Sequence, residues 1–395
     1  MGRMAEGLDF CLCECVSILS LDNTRYSDYS FTMKLTLQIQ LLPDTGTAQK
    51  LKATIERFNE ATNWLAQKAF ERKLSNKFAL QKLYYSKLRN LFGLSAQMAI
   101  RCIAQAVEAY KRDQSVQPSF RPTAAVPYDQ RLYSFKGIDR VSLLTLEGRV
   151  LVPMIMGDYQ REQFGYAKGQ ADLVLRKDGK WFLLVCVDIP DGTLIPVTDF
   201  IGVDLGTANL AVTDDGETFS GNTVENIRQK MSNLRKSLQQ KASKLVRQGK
   251  RPKNVRRKLS AISGRESRFR RNTNHIISKR IVEKAKDTGK AIALENLDGI
   301  RKSQKRFRKP QRAKLSGWSF FQLRTFIEYK AKRAGIRIEP VDPKYTSQTC
   351  AECGHCEKDN RHTQASFLCK VCGHKDHADR NAARNIRVKA LCQQA

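Results

Sequence analysis

Cys350-Ala-Glu-Cys353-Gly354-His355, then Cys369-Lys-Val-Cys372-Gly373-His374, then His377-Ala-Asp379-Arg-Asn381-Ala-Ala383 is the stretch that decides how this chain is read. The first two pieces repeat one form, Cys-x-x-Cys-Gly-His, with fifteen residues between Cys353 and Cys369. Paired knuckles at this separation fit a ribbon, expected over 346–376, in which four thiolates hold one Zn²⁺ tetrahedrally. Cys356 could compete by pairing with Cys353, and His355, His374 or His377 could substitute. The set Cys350, Cys353, Cys369 and Cys372 is preferred because both knuckles then have the same form. Four thiolates leave no open position for water, so the expected zinc is structural.

Outward from the ribbon stand three carboxylates. Asp204 ends the apolar run Phe200-Ile-Gly-Val, Glu295 follows Ala291-Ile-Ala-Leu, and Asp379 opens a helix containing Ala382, Ala383 and Ile386. A single acid at a strand end is ordinarily structural. Two adjacent strands, however, can present carboxylates at one end of a sheet, and a helix packed across it can supply a third. Such a trio repels itself and needs a divalent cation to stay ionised. Oxygen ligands suit hard Mg²⁺ or Mn²⁺, and two Mg²⁺ about 4 Å apart would activate water and stabilise the leaving oxygen of a phosphodiester. Asp204, Glu295 and Asp379 are therefore the candidate catalytic and metal-binding acids. Ile201–Thr207 also resembles the first phosphate loop of actin-like ATPases. The ribbon, the charge and the lack of a recognisable second phosphate loop argue against that chemistry.

Charge names the partner class. Among 395 residues, 70 Lys and Arg face 39 Asp and Glu, a net +31. An excess of that size calls for a polyanion, which favours nucleic acid over a metabolite or a membrane surface. Between Asn226 and Arg280 there are 19 basic residues against one acid, Glu266, and 301–314 adds eight more without an acid. Leu234, Leu238, Leu245 and Val255 are too sparse for a two-sided core, so 226–280 reads as a helical hairpin with a wet cationic face. No apolar run approaches the ~20 residues a bilayer needs, and Glu14 breaks the apolar core of any signal peptide. A prokaryotic cytoplasmic or nucleoid location is expected, where eleven cysteines favour metal over disulfides.

The remaining chain falls into segments. Residues 1–32, with Cys11, Cys13 and Cys15 spaced too tightly for a knuckle, read as a disordered extension, or as the product of an upstream start codon with Met33 as the natural start. Lys34–Leu41 alternates with period two, a half-buried strand. Residues 47–112 are helical, with a second helix from Gln97 to Tyr110. Residues 117–197 return to strands, with hairpins turning at Glu147-Gly148 and Lys177-Asp178-Gly179. The expected architecture is α+β and multidomain. A β-barrel-like domain (33–46 and 117–197) carries an inserted helical domain (47–116), and an α/β domain (198–395) carries the ribbon.

Gly202-Val-Asp204-Leu-Gly206, Leu294-Glu295-Asn296-Leu297, Leu315-Ser-Gly-Trp318-Ser-Phe320, Thr346-Ser-Gln-Thr-Cys350 and His377-Ala-Asp379-Arg-Asn381-Ala-Ala383-Arg-Asn385 together resemble the TnpB family, the transposon-encoded RNA-guided nucleases related to Cas12 effectors. The match is strongest over about 200–388; the N-terminal half matches in layout. The resemblance implies a RuvC-type nuclease domain of RNase H fold interrupted by a zinc ribbon, with wedge and recognition domains before it. It implies a guide RNA made from the transposon end, a double-stranded DNA target with a short flanking motif, and Asp204, Glu295 and Asp379 as the Mg²⁺-binding acids. A monomer carrying one RNA is expected. The rivals are a guided repressor that binds without cutting and a compact Cas12 effector serving a CRISPR array.

Overall fold

A computed structural model describes residues 32–296, 320–363 and 365–394. The extension 1–31, the basic run 301–314 and the motif Leu315–Ser319 lie outside the described residues. The chain divides at Pro190/Asp191 into two compact units.

The first unit begins with β1 (Thr32–Leu41), whose odd-numbered residues Met33, Leu37, Ile39 and Leu41 are buried, as period two requires. Three helices follow: α1 (Thr45–Glu71), α2 (Lys77–Phe92) and α3 (Ala96–Arg112). Each starts on a side chain that accepts an otherwise orphaned amide: Asp44 from Thr47, Asn76 from Phe78 and Ala79, and Ser95 from Met98. The cap at Asn76 splits the expected first helix in two. Strands β2 (Val126–Tyr128), β3 (Tyr133–Lys136), β4 (Arg140–Thr145) and β5 (Gly148–Ile155) come next, then α4 (Asp158–Phe164), β6 (Ala167–Leu175) and β7 (Trp181–Pro190). The sheet order is β2-β6-β7-β1-β5-β4-β3. β1 is recruited to its centre, pairing with β7 from Thr32↔Pro190 to Leu41↔Trp181. This nearly closed, barrel-like sheet packs against α1 and α3 around Phe58, Leu65, Met98 and Ile103. In the β4–β5 hairpin the turn residues are Leu146-Glu147, because Gly148 already pairs with Thr145.

The second unit opens with β8 (Phe200–Asp204), β9 (Asn209–Thr213) and β10 (Thr218–Ser220). Helices α5 (Asn222–Arg247), α6 (Lys253–Ile262) and α7 (Arg265–Thr288) lead to β11 (Ala291–Glu295). Then come α8 (Phe320–Arg333), β12 (Ile338–Val341), the small hairpin β13 (Ser366–Leu368) and β14 (Lys375–His377), and α9 (Ala378–Cys392). The five-stranded sheet runs β10-β9-β8-β11-β12, with β8, β11 and β12 parallel and β8–β9 and β9–β10 antiparallel. Alternate strand residues bury opposite faces. Ile201, Val203, Ile292 and Leu294 meet α7 and α8, whereas Phe200, Ala291 and Ala293 meet Ile386 and Ala390 of α9. The expected helical hairpin is three helices. α5 buries no side chain and α6 only Val255, so the cationic residues here face solvent.

Two positions in this unit yield expected outcomes. A Cβ on Gly202 of β8 would lie 2.0 Å from the Ala383 carbonyl oxygen and 2.8 Å from the Arg387 nitrogen of α9. Gly202→Ala must push helix from strand, so it should destabilise the unit by about 3 kcal/mol or more. A drop in urea midpoint of the full chain checks this. The second position is His275, whose ring stacks on Phe326 with centroids 3.9 Å apart. Burial, helped by Lys330 and Arg271, pushes this imidazole down to about 4. A depressed folded-state pKa means stability is full above the ordinary value of 6.5 and is lost as pH falls toward 4. With solvent screening of its half-exposed ring, the loss should be on the order of 1 kcal/mol. His275→Phe should flatten the urea midpoint between pH 7 and 5.

Candidate metal centres

The two knuckles adopt the same backbone. The Gly354 amide donates to the Cys350 carbonyl at 3.0 Å and the Gly373 amide to that of Cys369 at 3.1 Å. The Cys350 and Cys369 amides donate to the carbonyls of His355 and His374, each at 2.9 Å. Both glycines sit at positive φ, 75° and 72°, a region where a side chain would strain the turn. The turns bring Sγ of Cys350, Cys353, Cys369 and Cys372 within 4.8 Å of one another, with Cys350–Cys372 and Cys353–Cys369 each 3.6 Å apart. A tetrahedron with Zn–S of about 2.3 Å has edges of about 3.8 Å, so the four sulfurs fit a structural metal. The amide of Cys372 donates to Cys369 Sγ and, against burial, pulls that thiol down to about 6. The rival ligands have other neighbours. His355 Nε2 lies 3.0 Å from Glu357, and His377 Nδ1 caps α9 by accepting the Asp379 amide at 3.3 Å.

The three acids are brought together by three elements. β8 and β11 run parallel with Val203 opposite Leu294, so Asp204 and Glu295 leave the sheet at the same carboxyl-terminal edge. α9 crosses β8 over Gly202, and its first turn places Asp379, 4% exposed, beside them. Burial raises the Asp204 carboxyl to about 8, and the charges of Glu295 and Asp379 push the same way. Glu295 is also raised, chiefly by burial, against the hydrogen bond from Thr346. Asp204 and Glu295, held above the ordinary carboxyl range, are oxygen donors short of positive charge, and so are chemically suited to a hard divalent cation. Among the described residues, the acids do not converge on one point as the four sulfurs do.

Three further groups belong to this neighbourhood. Asn209 Nδ2 donates to Asp379 Oδ2 at 2.9 Å, and Arg361 Nη2 lies 3.3 Å from Asp379 Oδ1. Thr346 Oγ1 donates to Glu295 Oε1 at 2.5 Å. The Arg361 guanidinium, reaching in from the ribbon, partly opposes the upward shift of both Asp204 and Glu295. Thr346 opens the quoted run Thr346-Ser-Gln-Thr-Cys350, whereas nothing local marks Asn209 or Arg361, the latter one basic residue among 70. The ribbon is also tied to α9. Asn385 Nδ2 donates to the carbonyls of Thr346 and Thr349 at 2.8 and 2.6 Å, and Asn381 bridges Thr349 and Ala351.

Comparison with known proteins gives consistent findings. Residues 185–311 match the family model OrfB_IS605, described as a "probable transposase", and residues 320–386 match the Cas12f1-like TNB domain. The chain is 31% identical over 283 residues to the CRISPR-associated endodeoxyribonuclease Cas12f1 of Sulfoacidibacillus thermotolerans, covering 66% of this chain but only 61% of that protein. It is 26% identical over 235 residues to a TnpB-like protein of Methanocaldococcus jannaschii, covering 56% of this chain and 81% of the relative. A solved Cas12f1–sgRNA–target DNA complex shares the fold at TM-score 0.59 and 15% identity, over 90% of this chain and 99% of that one. No described helix is long and apolar enough to cross a membrane.

Proposed function

We propose that this chain, whose residues 185–311 and 320–386 match the OrfB_IS605 and Cas12f1-like TNB family models, is an RNA-guided DNA endonuclease of TnpB type. One observation carries the reading: carboxylates from β8, β11 and α9 gather at the carboxyl-terminal edge of parallel strands, with Arg361 of a cysteine ribbon reaching into them. The mixed five-stranded order, with α9 on one face and α7 and α8 on the other, supports a RuvC-type domain of RNase H fold over 198–395. Residues 33–46 and 117–197 form the wedge, 47–116 the recognition domain and 346–376 the zinc ribbon.

Asp204, Glu295 and Asp379 would hold Mg²⁺ or Mn²⁺, which when bound supplies water activation and neutralises charge on a phosphodiester. The chain's own groups do the positioning. Asn209 and Arg361 fix the two Asp379 oxygens, Thr346 fixes one oxygen of Glu295, and Gly202 lets α9 approach closely enough to deliver Asp379. The exposed cationic helices α5 and α6 suit a guide RNA and its heteroduplex with DNA, gripped by backbone and shape, while base pairing selects sequence. Prokaryotic cytoplasm or nucleoid is the matching location.

A second reading, a compact Cas12 effector, is favoured by the 31% identity to Cas12f1 against 26% to the TnpB-like relative. Sequencing the RNA that copurifies with the protein expressed from its own locus decides between them. A discrete RNA spanning the end of a mobile element, together with Mg²⁺-dependent cutting of matching DNA, supports the TnpB reading. An RNA carrying array repeats supports the effector, and heterogeneous RNA overturns both.

A further inference from the structure

Tyr345 is one of two non-glycine residues at positive φ among the described residues, at 64°, and 63% of it is exposed. The left-handed region crowds a β-carbon against the backbone, and a bulky residue stays there only when its surroundings hold it. Here they do. The Tyr345 carbonyl accepts from the Gln348 and Thr349 amides at 3.0 and 2.9 Å and from the Thr349 hydroxyl at 2.9 Å. On one side Lys389 of α9 donates to the Lys344 carbonyl at 2.5 Å; on the other, buried Thr346 is tied to Glu295 and to Asn385. Both neighbours are thus anchored to the elements that deliver the carboxylates. Yet among the described residues the Tyr345 ring stacks on nothing and its hydroxyl has no partner.

A packing role would bury the ring, and a plain turn would favour glycine or asparagine. What accounts for both exposure and strain is a flat ligand. We propose that Tyr345 is a stacking platform for a nucleobase of a single DNA strand lying across the carboxylates. The placement of that strand rests on the nuclease reading above. A ring carried on rigid backbone loses little freedom on binding, and every base offers a π-face. The adjacent exposed cation Lys344 suits a phosphate beside the base.

The test uses the full-length protein with Ca²⁺ in place of Mg²⁺ and a ~12-nucleotide single-stranded DNA carrying 2-aminopurine at successive positions. Wild type and Tyr345→Phe should quench the probe at one position. Tyr345→Ala and Tyr345→Gly should lose the quench and bind about 5- to 100-fold more weakly at 0.5 M NaCl, where phosphate contacts are screened and stacking persists. Glycine relieves the backbone, so Tyr345→Gly should keep or raise Tm. Wild-type-like quenching in Tyr345→Gly, equal loss in Tyr345→Phe, or no quench in wild type at any position overturns the proposal. Quenching by Tyr345 without any RNA-directed cleavage would leave the platform standing and sink the nuclease reading instead.

Discussion

Asp204→Asn should abolish Mg²⁺-dependent DNA cleavage, by at least about 10³-fold, while making the metal-free protein more stable. The two halves of this expectation have one cause. Burial and the charges of Glu295 and Asp379 raise the Asp204 carboxyl from its ordinary 3.8 to about 8, so ionising it costs folding energy when no cation is present. A raised folded-state pKa means the contribution is full below the ordinary value and lost as pH climbs toward 8. The amide cannot ionise, so in EDTA the variant's Tm should exceed wild type by about 3–8 °C at pH 8 and by less at pH 5. Adding Mg²⁺ should raise the wild-type Tm and leave the variant almost unmoved. Cleavage that survives the substitution would remove Asp204 from the chemistry. Guided DNA binding with no cleavage in wild type would favour the repressor reading instead.

Loss of the ribbon metal should be as damaging, by a different route. A structural zinc held by four thiolates contributes on the order of 10 kcal/mol of folding energy to a small ribbon, and β13 and β14 together offer only six strand residues to hold it otherwise. Cys369→Ser, or a zinc-selective chelator, should expose 346–376 to trypsin and release one zinc per chain by mass spectrometry. The effect should not stop there. Thr346, which fixes Glu295, and Arg361, which fixes Asp379, both belong to the ribbon. Cleavage should therefore fall at least about 100-fold at saturating Mg²⁺ and return with Zn²⁺ but not with more Mg²⁺. Full activity after verified zinc loss would show that ribbon and carboxylates are independent.

Much of the architecture was legible along the chain because its cause is local. Period-two burial in β1, apolar runs buried on both faces at Phe200–Val203 and Ala291–Leu294, and Asp-Gly in the β6–β7 turn are each written within a few residues. Splitting of the 47–112 helix was harder to read, since Asn76 is one polar residue among many until its side chain is seen accepting two amides.

By itself the sequence determined the four sulfurs, since Cys-x-x-Cys spacing and the following glycine dictate knuckle geometry before anything else folds. It also pointed to a polyanion as the partner to propose, because an excess of +31 is a property of composition. It nominated three acids, each at the end of an apolar run. Only the tertiary structure decided that these acids share one edge, separated as they are by 91 and 84 positions. That meeting depends on strand order and on Gly202 admitting α9 to the strand. Tertiary structure alone also decided that Asn209, Thr346 and Arg361 attend the acids, and that Tyr345 stands strained beside them. Such pairings are set by long-range packing, which no local run of residues encodes.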